Sequence, residues 1–159
     1  MKKNVVISNY SISMSIIGIA VLSAAMFYSV RQGSHTSAIF VTTALVPLCL
    51  SALFYMPLSI SADDHELTIR RSLRIKSIPM TDIQDVKLCP PTMGERRICG
   101  SGGWFGYWGW FRERDLGKYF AYYGKSSDCF LVTLSDGRKY MLGCKDAPAM
   151  VEYISERIR

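Results

Sequence analysis

No aspartate or glutamate occurs before Asp63, and between Asn4 and Ala62 the only lysine or arginine is Arg31. A helix on the surface of a soluble protein needs a polar face toward water, so this stretch is built for an apolar solvent. The five cysteines, Cys49, Cys89, Cys99, Cys129 and Cys144, include no C-x-x-C pair. An odd, unpatterned set reads as reduced thiols rather than a disulfide framework. Cys89, Cys99, Cys144 and His65 lack the close ligand pairs of structural zinc. Histidine is scarce, with only His35 and His65, and neither sits in a serine or cysteine nucleophile motif. Asp63 and Asp64 are adjacent, so in a strand they would point to opposite faces instead of converging. Gly100-Ser101-Gly102-Gly103 has no lysine after it and no strand-to-helix setting, so it is a weak match to a phosphate-cradling loop. These absences predict no enzyme, no cofactor and no metal.

The net charge of +6 splits evenly, +3 in the first third and +3 in the remainder. That is too mild and too diffuse for a nucleic-acid footprint, and it suits proximity to anionic lipid headgroups.

What is present begins with two apolar runs. Ser11 to Val30 is 20 residues without charge, about 30 Å as a helix, which is the hydrocarbon thickness of a bilayer. Ala38 to Met56 is the second, 19 residues with Pro47 near its middle, where a kink is expected. The seven residues between them, Arg31 to Ser37, can turn a chain but cannot build a domain. The prediction is a transmembrane hairpin over residues 1–57, with helices near 11–30 and 38–56. Gly18, Ala20, Ala24 and Ala25 would permit close helix packing. Lys2 and Lys3 flank the first run, and Arg70, Arg71, Arg74 and Lys76 follow the second. Both termini are therefore expected on the cytoplasmic side of a bacterial inner membrane. Two other readings are available. A signal peptide could be cut near Ser23-Ala24-Ala25, but the apolar run continues past that point and a second follows. Two buried helices of a soluble protein would need the polar face that both runs lack.

From Leu58 onward the pattern shortens to period-two alternation, as in Glu66 to Arg71, Leu73 to Ile78 and Ile83 to Leu88. In the second of these, Leu73 and Ile75 share one face and Arg74 and Lys76 the other. Lys118 to Gly124 is aromatic strand material, and Asp136-Gly137 joins two further alternating runs as a hairpin turn. Asp146, Pro148, and the i, i+4 series Met150, Ile154, Ile158 predict a closing amphipathic helix, with Asp146 as N-cap and Arg157 and Arg159 near its C-terminal end. About seven strands in an antiparallel meander, capped by that helix, make a mainly-β domain over 58–159.

Three stretches carry a resemblance. They are Leu58-Ser59-Ile60-Ser61 with Pro79-Met80-Thr81-Asp82-Ile83; the Gly-aromatic stretch from Arg97 to Phe111 with Leu116-Gly117-Lys118-Tyr119; and Asp136-Gly137-Arg138-Lys139-Tyr140 leading into the last helix. In these the chain resembles the bacterial PH-like domains that follow a pair of membrane helices. The resemblance implies a PH-like β-barrel or sandwich with a capping C-terminal α-helix, and no enzymatic role.

Candidate contact residues fall in two groups. One is Arg70, Arg71, Arg74 and Lys76, either a lipid-facing cluster or a solvated sheet face. In phosphoinositide-binding PH domains basic residues gather between the first strands, roughly where this group falls. The other is Arg97, Trp104, Phe105, Tyr107, Trp108, Trp110 and Arg112, in and around a segment with five glycines and six aromatics between Gly100 and Phe111. Its aromatics either fill the core around a bulged loop, or touch the bilayer interface or the membrane helices, or line a small-ligand pocket. The expected partners are the lipid bilayer and, with it, anionic headgroups or a membrane-protein partner, without nucleic acid. The function expected is a membrane-tethered binding or scaffolding module. The competing reading is an accessory subunit packing through its helices into a larger membrane complex.

Overall fold

The computed structural model describes residues 1–158, so Arg159, expected near the end of the last helix, lies outside the described residues. A short strand β1 (Lys2–Asn4) precedes helices α1 (Asn9–Arg31) and α2 (His35–Tyr55). The Ser8 hydroxyl caps α1 by accepting from the Ser11 N–H at 3.2 Å. Serines inside the helix are satisfied by back-bonding, as where Ser15 Oγ donates to the Ser11 carbonyl at 2.7 Å. α2 runs unbroken through Pro47. Both helices are long and apolar enough to cross a membrane, and only 11% and 6% of their apolar windows are buried. That exposure removes the reading of two helices buried in a soluble core.

The β region forms two packed sheets. Sheet A orders β1, β2 (Pro57–Ala62), β3 (Glu66–Arg71) and β4 (Ile75–Pro79). A 3-10 turn at Met80–Asp82 then turns the chain into β5 (Ile83–Leu88). Sheet B is completed by β6 (Arg96–Gly103), β7 (Gly106–Glu113), β8 (Gly117–Tyr123), β9 (Cys129–Leu134) and β10 (Lys139–Gly143), in the spatial order β5-β9-β10-β8-β7-β6. The last helix, α3 (Ala147–Ser155), inserts Ala147, Met150 and Ile154 into the core between the sheets. With it lie Ile60, Leu67, Ile69 and Ile78 from sheet A and Phe130, Val132 and Leu142 from sheet B.

Several expectations are corrected. There are ten strands among the described residues instead of about seven, the additions being β1, β6 and β7. The sheet is not a pure meander: β10 lies parallel to β8, pairing Tyr140 with Phe120. The connection after β8 carries the chain past one strand position, leaving room for β10 to return beside it. In β4 the buried member is Ile78, while Ile75, and Leu73 in the turn before the strand, are about 60% exposed (63% and 59%). Asp146 stands at the N-cap position of α3 as expected, but its side chain makes no cap bond and forms an ion pair with Lys3 at 2.8 Å instead.

β1 was not anticipated. It pairs antiparallel with β2, Lys2 opposite Ser61 and Asn4 opposite Ser59. The chain therefore enters α1 from one strand and leaves α2 into its hydrogen-bonded neighbour, so both ends of the helical pair open on the domain side.

Strands β8 to β10 are buried on both faces. Tyr119, Ala121, Tyr123, Cys129, Leu131 and Met141 form a second core on the outer face of sheet B. The connection from β5 to β6 covers it. Glu95 accepts hydrogen bonds from the Tyr119 hydroxyl at 2.5 Å and the Tyr123 hydroxyl at 2.9 Å, and Glu113, itself buried, accepts from the backbone N–H and hydroxyl of Thr92. Burial holds the Glu95 carboxyl above its ordinary value of 4.5, opposed by the two tyrosine hydrogen bonds. Glu95 thus binds its proton more tightly folded than unfolded. Its contribution favours the fold at low pH and is lost as pH rises from 4.5 through the folded-state value. Glu95→Gln is expected to flatten that decline in thermal melts of the detergent-solubilised chain across pH. An unchanged slope would remove Glu95 as its source.

Candidate functional site

β2 begins two residues after α2 ends, and its first residue, Pro57, pairs with Arg71 at the end of β3. This register brings the β3–β4 turn, Ser72 to Arg74, back to the end of α2. There the Arg74 guanidinium lies 5.4 Å from the Phe54 ring centroid. Arg71 lies over Tyr55 at 5.9 Å and Tyr122 at 5.5 Å, and its Nη1 donates to the Tyr122 hydroxyl at 3.2 Å. Burial pushes that hydroxyl up to about 12, against the pull of the Arg71 charge. Lys76 turns onto Tyr140, Nζ 4.9 Å from the ring. The basic cluster read from the sequence is thus divided. Arg70 and Arg74 are exposed, whereas Arg71 and Lys76 are half-buried on aromatic rings. Leu73 and Ile75 stand exposed beside the arginines, an apolar and cationic tip next to the end of an apolar helix.

The Gly-aromatic segment is a β-hairpin rather than a bulged loop. Gly100 and Gly109 face each other across β6 and β7 with φ of +124° and +122°, and a Cβ on Gly109 would sit 2.7 Å from the Gly100 Cα. Only glycine at both positions allows this approach. At the tip the Ser101 hydroxyl accepts from the Trp104 N–H at 2.8 Å and lies 2.9 Å from the Trp104 carbonyl, to which it can donate.

The tip reaches the helices. The Phe105 N–H donates to Ser15 Oγ of α1 at 2.9 Å. The Trp104 ring lies against Gly18, where a Cβ would overlap it. Gly18 is nine residues into α1, about 13 Å along the helix axis. Trp108, buried, stacks on Tyr55 of α2 with centroids 5.2 Å apart and planes 13° from parallel. Trp104, Phe105 and Trp108 therefore join the domain to both helices. Tyr107 instead stacks on Tyr123 at 4.7 Å in the outer core, and Phe111 is buried there. Trp110 is 38% exposed beneath the Lys118 ammonium, 4.4 Å from its ring centroid. Part of the segment thus fills the core and part packs on the two apolar helices.

Arg97 and Arg112 are exposed on the same hairpin. Arg112 stands in register with Arg96 on one side and Lys118 on the other, a row of three cations on adjacent strands. Like charges directly opposite oppose pairing, so this row is a concentration of positive charge held together by the rest of the sheet. Sequence reasoning missed it because register between distant strands is invisible in the chain. Among the described residues no three His, Cys, Asp or Glu side chains converge as for a metal, and Cys89, Cys99, Cys144 and His65 are not gathered together.

A family model described as bacterial PH domain matches residues 58–158. No curated protein matches the chain, and no solved structure does.

Proposed function

The chain belongs to the bacterial PH domain family, and from that premise we propose a membrane-tethered, non-enzymatic binding module at the cytoplasmic face of a bacterial inner membrane. PH domains are in general binding modules without catalysis. The observation that carries the reading is the pairing of β1 with β2, which makes both ends of the apolar helical pair open toward the domain. Lys2, Lys3, Arg70, Arg71 and Arg74 lie at that end, against Arg31 at the far turn, the asymmetry that favours a cytoplasmic domain. The tip bearing Leu73, Arg74 and Ile75 then faces the headgroups, and the docked β6–β7 hairpin holds the domain at one angle to its anchor. Arg96, Arg112 and Lys118 are left as the surface for an acidic partner.

A reporter active only outside the cytoplasm, inserted after Gly33, is expected to be active, and a fluorescent protein fused after the last residue is expected to fluoresce. The reverse pattern would overturn the topology.

The second reading, an accessory subunit, draws on the largely unburied helix surfaces, with Ile16, Ile17, Phe27 and Phe40 about 60% to 70% exposed (62%, 58%, 64% and 72%). Exchange of those surface positions for other apolar residues, keeping Ser15, Gly18 and Tyr55, separates the two. Partner capture survives in a module and is lost in a subunit.

A further inference from the structure

A cleft of about 260 Å³ opens between α1, α2 and β6, lined by Met14, Leu48, Trp104, Trp108, Arg97 and the glycine backbone of residues 100–103. Its helical wall lies inside the apolar runs: Met14 is three residues past Ser11 and Leu48 eight before Met56. Yet a cation, Arg97 of β6, borders the cleft beside that wall. Arg97 forms no ion pair among the described residues, and no carboxylate lines the cleft. Its side chain follows the curl of β6, Nη1 3.3 Å from where a Cβ on Gly102 would stand. A charged donor without an anion therefore borders a cleft whose other walls are apolar side chains and the backbone of residues 100–103.

An arginine at the depth of apolar helices is costly unless an anion meets it, and such residues mark binding sites. We propose that this cleft holds one anionic phospholipid, its phosphate on Arg97 and its acyl chain along Met14 and Leu48. The phosphate is common to all phospholipids. Selection for anionic ones follows from the net charge of the lining, Arg97 with no carboxylate to balance it. This inference rests on the helices spanning a bilayer, and it names the ligand class that the tethered module would take beside its anchor.

The test uses the full chain with Trp110→Phe, which leaves Trp104 and Trp108 as the only indoles, both at the cleft. The protein is placed in phosphatidylcholine bilayers, and tryptophan quenching is titrated with acyl-brominated phosphatidylglycerol or acyl-brominated phosphatidylcholine. Half-maximal quenching is expected at about fivefold lower mole fraction of the anionic lipid, the enrichment that one cation near an anionic surface gives. Arg97→Gln is expected to abolish the preference and Arg97→Lys to retain most of it. Equal quenching by the two lipids, or a preference that persists in Arg97→Gln, overturns the lipid site while leaving the tether intact. Quenching by neither lipid would place the indoles out of reach of acyl chains and overturn the tether as well.

Discussion

Gly109→Ala is expected to open the β6–β7 hairpin and lower the stability of the whole chain by roughly 2–5 kcal/mol, from the strain of a left-handed backbone plus overpacking. The added methyl would sit 2.7 Å from the Gly100 Cα and collide with the Cys99 carbonyl, both backbone atoms that no side-chain rotation can relieve. Gly137 is the control. Its φ of +82° imposes comparable strain, but a Cβ there would meet nothing within 4 Å. Thermal unfolding of the detergent-solubilised chain reads the difference, and a loss in Gly109→Ala no larger than in Gly137→Ala would refute the steric account. The variant should also shift tryptophan emission, because Trp104 and Trp108 leave their seats on α1 and α2 together.

Trp108→Ala should cost about 3–5 kcal/mol, the range for deleting a buried tryptophan. It removes the stack on Tyr55, a core position, and the hydrogen bond from its indole N–H to the Trp104 carbonyl at 3.2 Å. Trp110→Ala, only two residues away, removes a partly exposed ring held by Phe120 and Lys118, and should cost about 0.5–1.5 kcal/mol. A double-mutant cycle between Trp108 and Tyr55 tests the tie between domain and helix directly. A coupling of about 0.5–1.5 kcal/mol is expected for a stacked pair. A coupling indistinguishable from zero would mean that the rings touch without holding the two parts together.

The two predictions bear on one arrangement. The domain is not hung from a flexible linker: β2 begins two residues after α2, β1 ends five residues before α1, and a glycine-rich hairpin reaches along the first turns of α1. A fragment begun at Leu58 would therefore lose its β1 edge strand, the Lys3–Asp146 ion pair and the Tyr55 stack. It should be less stable than the full chain for reasons unrelated to any membrane.

Periodicity and charge were enough to place most of the elements, because they depend on neighbours in the chain. Twenty uncharged residues can be read as a long apolar helix, alternation in Glu66 to Arg71 as a half-buried strand, and Asp136-Gly137 as a turn. The Gly-aromatic stretch was recognisable as unusual but not as a hairpin, since its alternation is of glycines and rings, and a glycine gives no sign of the strand opposite it. Nor could alternation alone say which face of β4 turns inward; packing chose Ile78 and left Leu73 and Ile75 outside. The four lysines and arginines of residues 70–76 look alike in sequence until aromatic rings from α2 and sheet B take some of them in.

The sequence by itself determined the division into an apolar helical pair and a mainly-β domain with a closing helix, because hydrophobic period and net charge are local quantities. Only the tertiary structure decided that β1 closes sheet A from the far side of the helices, that β10 lies parallel to β8, that Arg96, Arg112 and Lys118 share one row, and that Trp104 rests on Gly18. Each of these joins residues distant in the chain, and such contacts are fixed by the register and packing of the whole domain rather than by the preference of any short segment.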